Sequence, residues 1–129
     1  MTDFRCYDFA RLEVDARPVV LTGPNGAGKT NVLEAVSFLA PGRGLRSARL
    51  EEVGRRDSAK QAETGRTVQR AWAVAAQLAW DDVILDIGTG LEVVTGEPVR
   101  ERRIIKIDGK TGKSQTDLGR LTSALWLTP

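Results

Sequence analysis

Gly23, Gly28, Lys29 and Thr30 stand at the four fixed positions of G-x-x-x-x-G-K-[ST], with Pro24, Asn25, Gly26 and Ala27 between them. That spacing suits the holding of a triphosphate. Backbone N–H groups that turn inward form an anion-binding nest, and glycines at 23, 26 and 28 permit the positive φ values and close approach such a nest needs. A helix that starts near Thr30 adds unpaired N–H groups and the positive end of its dipole. Lys29 is placed to reach the β and γ phosphates, and the Thr30 hydroxyl to ligate Mg²⁺. The plainer reading of the same residues is a glycine-rich turn that happens to precede a helix.

Elements on either side must position this loop. Residues 18–22, Pro-Val-Val-Leu-Thr, have no polar interruption before the loop and are expected as a strand apolar on both faces, inside a sheet. After the loop, Val32, Val36 and Leu39 fall on one helical stripe, widened by Leu33, Ala35 and Phe38, and Pro41-Gly42 ends the helix. Upstream, residues 9–14 alternate as a half-buried strand, followed by an Asp-Ala-Arg-Pro turn.

Downstream, large and small residues alternate from Trp72 to Trp80, then Asp81-Asp82 and Val83, Leu85, Ile87 follow, which reads as a hairpin. Residues 91–95 and 103–107 are expected to form another pair ending in the turn Asp108-Gly109. Ser114 with Asp117 marks the N-cap of a short helix to Leu121, and residues 124–127 return to strand. Residues 57–67 contain almost nothing to bury and read as a surface loop. Between Arg43 and Arg56, five arginines mix with Glu51 and Glu52, which reads as a solvated, charge-mixed face. Trp72, Trp80 and Trp126 read as core rather than as base-stacking platforms.

Composition narrows the chemistry further. The 129 residues suffice for one domain and are few for a whole P-loop NTPase. Net charge is +2, so bulk electrostatics do not point to nucleic acid, and 14 of the 19 basic residues being arginine is a slight hint of phosphate contacts. With one cysteine, Cys6, and no histidine, an intrachain disulfide, a Cys/His zinc site and a histidine-based triad are excluded. A reducing, cytoplasmic setting without membrane attachment is the expectation. Asn25 and Asn31 are the only asparagines and neither precedes lysine, which excludes guanine reading by Asn-Lys-x-Asp. A small P-loop kinase would need Asp86 or Asp108 as its second acidic group, and both sit in hairpin-like segments.

The run Gly-Pro-Asn-Gly-Ala-Gly-Lys-Thr-Asn-Val-Leu-Glu-Ala, with Asp-Phe-Arg-Cys-Tyr before it and Gly-Arg-Gly-Leu-Arg-Ser-Ala-Arg after it, resembles the amino-terminal part of the RecF family. These are bacterial recombination and replication-repair ATPases related to ABC transporters and SMC proteins. The similarity extends to Arg-Arg-Ile-Ile-Lys-Ile-Asp-Gly, ending at Gly109, and to the final Leu-Trp-Leu-Thr-Pro, with 57–70 the weakest part.

The resemblance implies an α/β fold of P-loop NTPase, ABC-ATPase-like type. Residues 1–129 would be an incomplete first ATP-binding lobe, a βα phosphate-binding unit with an antiparallel β hairpin subdomain, ending before the second lobe. It implies ATP and Mg²⁺ as cofactors, with residues 23–30 on the phosphates and Thr30 on the metal. Arg5 matches an arginine near the nucleotide, and Arg46, with Arg43 beside it, a position that links DNA to the ATP site. For the intact protein it implies DNA binding at single/double-strand junctions, RecO/RecR-type partners, recombinase loading, SOS induction and an ATP-dependent homodimer. No glutamine loop, Leu-Ser-Gly-Gly-like signature or Asp-Glu strand follows, so the expectation is Mg-ATP binding without hydrolysis. Alternatives are the lobe of another ABC- or SMC-like ATPase, a non-catalytic adaptor and the small kinase.

Overall fold

A computed structural model describes residues 1–56, 71–94, 100–112 and 114–127. Its strands are β1 (Thr2–Phe4), β2 (Tyr7–Phe9), β3 (Ala73–Trp80), β4 (Val83–Val94), β5 (Arg100–Ile107) and β6 (Lys110–Thr111). The helices are α1 (Lys29–Ser37), α2 (Leu50–Val53) and α3 (Gln115–Gly119). All strands join one antiparallel sheet in the order β2-β1-β3-β4-β5-β6.

Period-two alternation makes this sheet one-sided. Along β3 and β4 the pairs Val74↔Thr89, Ala76↔Ile87 and Leu78↔Leu85 face inward, and Ile105 of β5 continues the row beside Thr89. The opposite face is lined with small residues, Ala73↔Gly90 and Ala75↔Gly88. Gly90 has to be small, since a Cβ there would stand 2.5 Å from the Trp72 carbonyl oxygen. Asp108 and Gly109 both take positive φ (46° and 74°), the geometry of a type I′ turn, and reverse β5 into β6.

Helix α1 lies on the inward face. Its Ala35, together with Phe38 just beyond it, joins Phe4, Val53, Trp72, Val74 and Leu91 in a continuous buried cluster. The three aromatic rings meet with centroids 5.0–6.0 Å apart, two of the pairs edge-on. The Trp72 indole N–H donates to Leu50 O at 2.9 Å, so the largest core residue leaves no polar atom stranded. A second cluster, Ile87, Ile105 and Leu118, sits under α3. Ser114 caps that helix as its sequence foretells: its hydroxyl accepts from Thr116 N at 3.2 Å, and Asp117 accepts from Ser114 N at 3.3 Å.

Several expectations are corrected. Residues 18–22 are not a strand: no described strand lies beside them, and Val20 is 80% exposed. A segment apolar on both faces needs cover on both, and the antiparallel sheet closes without it. Residues 9–14 pair only as far as Ala10, whose N–H and C=O both bond Met1, and 124–127 run as coil without ladder bonds, Leu125 and Leu127 exposed. The helical stripe is rotated, with Leu33 and Val36 exposed and Glu34 and Ser37 buried in their place. The separate strands over 83–87 and 91–95 are one continuous β4 as far as Val94. Among the tryptophans Trp72 is core, whereas Trp80 is 47% exposed. The surface loop expected over 57–67 lies outside the described residues.

Candidate phosphate-binding site

The loop from Gly23 to Thr30 leads directly into α1, and its glycines take the conformations that only glycine accepts freely. Gly23, Gly26 and Gly28 have φ of 143°, 86° and 94°. Gly28 is the N-cap of α1 in the left-handed region, with no side-chain cap and no acidic residue in the first turn. A helix end left this way presents N–H donors and a positive dipole. The Asn31 and Val32 N–H groups already bond Gly28 O, at 2.8 and 3.1 Å, so the earlier donors of the turn are the ones on offer. Lys29 folds back across the loop, where Nζ donates to Gly23 O at 2.6 Å and Pro24 O at 2.7 Å. Thr30 is exposed in the first turn of α1.

The turn between β1 and β2 packs against the end of this loop. A Cβ at Gly28 would stand 2.5 Å from the Tyr7 hydroxyl oxygen and 3.1 Å from Cys6 Sγ, so contact as well as φ demands glycine there. Asn31 Nδ2 donates to Cys6 Sγ at 3.1 Å. Arg5 takes a φ of 53°, uncommon for a residue with a side chain, and is held by its own contacts. Its N–H donates to Val53 O, Nη1 to Glu52 O at 2.7 Å, and Nε and Nη2 to the two oxygens of Glu34 at 2.8 and 2.6 Å.

Arg46 reaches the same carboxylate from the loop after α1, with Nη1 3.2 Å from Glu34 Oε2 and 3.1 Å from Asn31 Oδ1. The structure therefore brings Arg5 and Arg46 together on α1, while Arg43 is exposed on the loop outside this group. Glu34, the residue that joins them, was not singled out from the sequence as a site residue. Its signal was available: a lone acid inside Val32-Leu33-Glu34-Ala35-Val36 requires a cation wherever that helix is buried.

Asp86 and Asp108, the two candidates for a kinase's second acidic group, are used within the hairpins. Asp86 Oδ1 accepts from Gln77 Nε2 at 3.1 Å, and Asp108 Oδ1 from Asp86 N at 3.0 Å. Among the described residues no three His, Cys, Asp or Glu side chains gather as a metal site, so a cation here would depend on the Thr30 hydroxyl and the ligand's own oxygens. The residues fit a magnesium-bound triphosphate: an uncapped helix end, a lysine and a hydroxyl.

The loop falls inside a segment, residues 19–71, that matches the family "AAA domain, putative AbiEii toxin, Type IV TA system". Over its whole length the chain is similar to the DNA replication and repair protein RecF of Caulobacter vibrioides, at 46% identity, and to that of Caulobacter sp. strain K31, at 44%. The RecF of Agrobacterium fabrum is 46% identical, again over all of the chain. The chain spans 31–32% of the length of these relatives. No solved structure matches it. From one end to the other, the chain is similar to RecF proteins, and the glycine-rich loop lies within the segment that matches the AAA family.

Proposed function

We propose that this chain is the ATP-binding portion of a RecF-like DNA replication and repair protein, the first lobe of an ABC-type ATPase. The observation that carries the reading is the uncapped start of α1, where left-handed Gly28 is followed by Lys29 and Thr30. Lys29 would exchange its bonds to Gly23 O and Pro24 O for the β and γ phosphates. The Thr30 hydroxyl would hold Mg²⁺, which neutralises phosphate charge when bound. Residues 23–28 would supply the N–H nest, and Arg5 adds a fixed cation on the adjoining turn.

Binding proceeds without turnover in this chain. Hydrolysis needs a carboxylate to orient water. Glu34, on the loop's own helix, is buried between Arg5 and Arg46, and Asp86 and Asp108 are bonded within the hairpins. In the whole protein the reading extends to ATP-dependent pairing of two copies on DNA at single/double-strand junctions, with RecO/RecR-type partners, recombinase loading and SOS induction. Arg46, with exposed Arg43 near it, would link DNA to the nucleotide site. No described helix is long and apolar enough to cross a membrane, in keeping with work on cytoplasmic DNA.

Titration with a fluorescent ATP analogue and Mg²⁺ tests this directly. Saturable binding lost in Lys29→Ala, with no phosphate release by either form, is expected; binding indifferent to Lys29, or Lys29-dependent hydrolysis, overturns it. In the whole protein Arg46→Ala weakens stimulation of ATP turnover by DNA, and DNA affinity falls steeply with salt. Unchanged stimulation removes that role from Arg46.

A further inference from the structure

Glu34 is fully buried, and two arginines from different parts of the chain neutralise it unequally. Arg5 grips both carboxylate oxygens through Nε and Nη2 at 2.8 and 2.6 Å, and its side chain is only 20% exposed. Arg46 offers a single nitrogen at 3.2 Å, divides it with Asn31, and is 44% exposed. A two-pronged guanidinium–carboxylate pair is the stronger and the more fixed in geometry. Arg5 alone therefore compensates the buried charge, and Arg46 can leave without stranding it.

The place of Glu34 on α1 gives this asymmetry a use. It follows Thr30 by four residues and Asn31 by three, so the three share one face of the helix. Thr30 is thus about 6 Å up the axis from Glu34. The turn that carries Arg5 also carries Cys6 and leads straight into Tyr7 of β2, and both of these press on Gly28. Two cations against one carboxylate leave a surplus positive charge beside the first turn of α1.

We propose that Glu34 is a positioning residue of the nucleotide site: through Arg5 it fastens the β1–β2 turn against Gly28, and it keeps Arg46 parked as a releasable cation one helical turn from Thr30. The proposal rests on reading residues 23–30 as a triphosphate site. A phosphate-bearing ligand can draw Arg46 away while Arg5 keeps the loop's support in place.

The test is Mg-ATP affinity, read with a fluorescent analogue well below the melting temperature, for the unaltered chain, Lys29→Ala, Glu34→Gln, Arg46→Ala and the Glu34→Gln/Arg46→Ala double variant. Glu34→Gln is expected to weaken binding about tenfold and Arg46→Ala about threefold, with the double variant no weaker than Glu34→Gln alone, because Arg46 has already lost its anchor. A merely structural Glu34 would lower the melting temperature and leave the affinity of the folded chain unchanged, which overturns the proposal. So does a double variant whose losses multiply to about thirtyfold. Should Glu34→Gln not fold, the pair Arg46→Ala and Arg46→Lys decides, since a loss restored by the lysine charge supports a releasable cation and no loss overturns it. Affinity unaffected by Lys29→Ala would instead remove the underlying reading of the loop.

Discussion

Helix α1 has two apolar sides with different fates. Ala35 and, just past its end, Phe38 are buried against the sheet, whereas Leu33 and Val36 on the other side are 44% and 50% exposed. The strand-like residues before the loop share that second fate, with Val19 and Val20 exposed as well. Both sides carry apolar residues; what differs is whether the described residues supply a packing partner. On the sheet side they supply β1, β3 and β4. Burial belongs to the pair of surfaces, and the free energy of roughly 25 cal/mol per Å² is gained only where both are present.

The sharpest way to break this comparison is to empty the packed side. Phe38→Ala or Trp72→Ala removes one ring of a three-ring cluster, and is expected to cost about 3–5 kcal/mol, enough to unfold much of a marginal domain. Urea denaturation followed by tryptophan fluorescence measures Phe38→Ala, and circular dichroism measures both. A loss below 1 kcal/mol would mean that the cluster is not the centre of stability.

Arg103 comes next in size. It crosses from β5 to the end of α1, donating to the carbonyls of Phe38 and Gly42 and to Thr89 Oγ1, with its guanidinium 5.3 Å from the centre of the Phe38 ring. Burial pushes its pKa below the ordinary arginine value, and the helix C-terminal carbonyls supply the compensating partial charge. Arg103→Met keeps the length of the side chain and removes the donors, and is expected to cost about 2 kcal/mol by the same denaturation measurement. An unchanged midpoint would show that α1 is fastened by apolar contact alone.

What could be read in advance follows the same division. The hairpins from Trp72 to Ile107 were legible because alternation, Asp81-Asp82 and Asp108-Gly109 agree with one another, and the Ser114 cap was legible because its partner is three residues away. The glycine-rich turn at 23–28 and the helix that follows it were legible from spacing. Residues 18–22 were misread because a strand is a relation to a neighbour, and their composition says nothing of whether one is present. Glu34 and Arg103 were missed for a related reason. Their side-chain partners lie from 12 to 65 residues away in the chain, beyond what local pattern records.

Polar substitution on the bare side sharpens the comparison with a smaller effect. Val20→Ser and Leu33→Ser are expected to alter stability by no more than about 0.5 kcal/mol, since neither side chain is buried. Sedimentation analysis should show less self-association, because exposed apolar side chains are the surface most available for it. A loss of several kcal/mol would mean that this side is covered after all.

The smallest effect concerns Asp15 and Arg17, which shape the bend before residue 18. Asp15 Oδ1 accepts from the Arg17 N–H at 3.0 Å, and its carboxylate accepts from Arg17 Nε at 2.9–3.0 Å. The side-chain bond from Arg17 is the main cause that holds the Asp15 pKa below its ordinary value of 3.8, and the backbone bond from the same residue adds to it. Because the folded pKa is the lower one, the bend's stabilisation is fully present above the ordinary value and is lost as pH falls through the folded value. Arg17→Ala removes the larger cause, so the Asp15 carboxyl signal in an NMR titration should move up toward the ordinary value while the buried side of α1 remains unperturbed. The two residues are exposed and belong to neither buried cluster, so the change should not register in the denaturation midpoint near neutral pH. If the midpoint did move, the segment before the loop would be coupled to the sheet by contacts stronger than its exposure allows, and the contrast between the two sides of α1 would fail at its most exposed point.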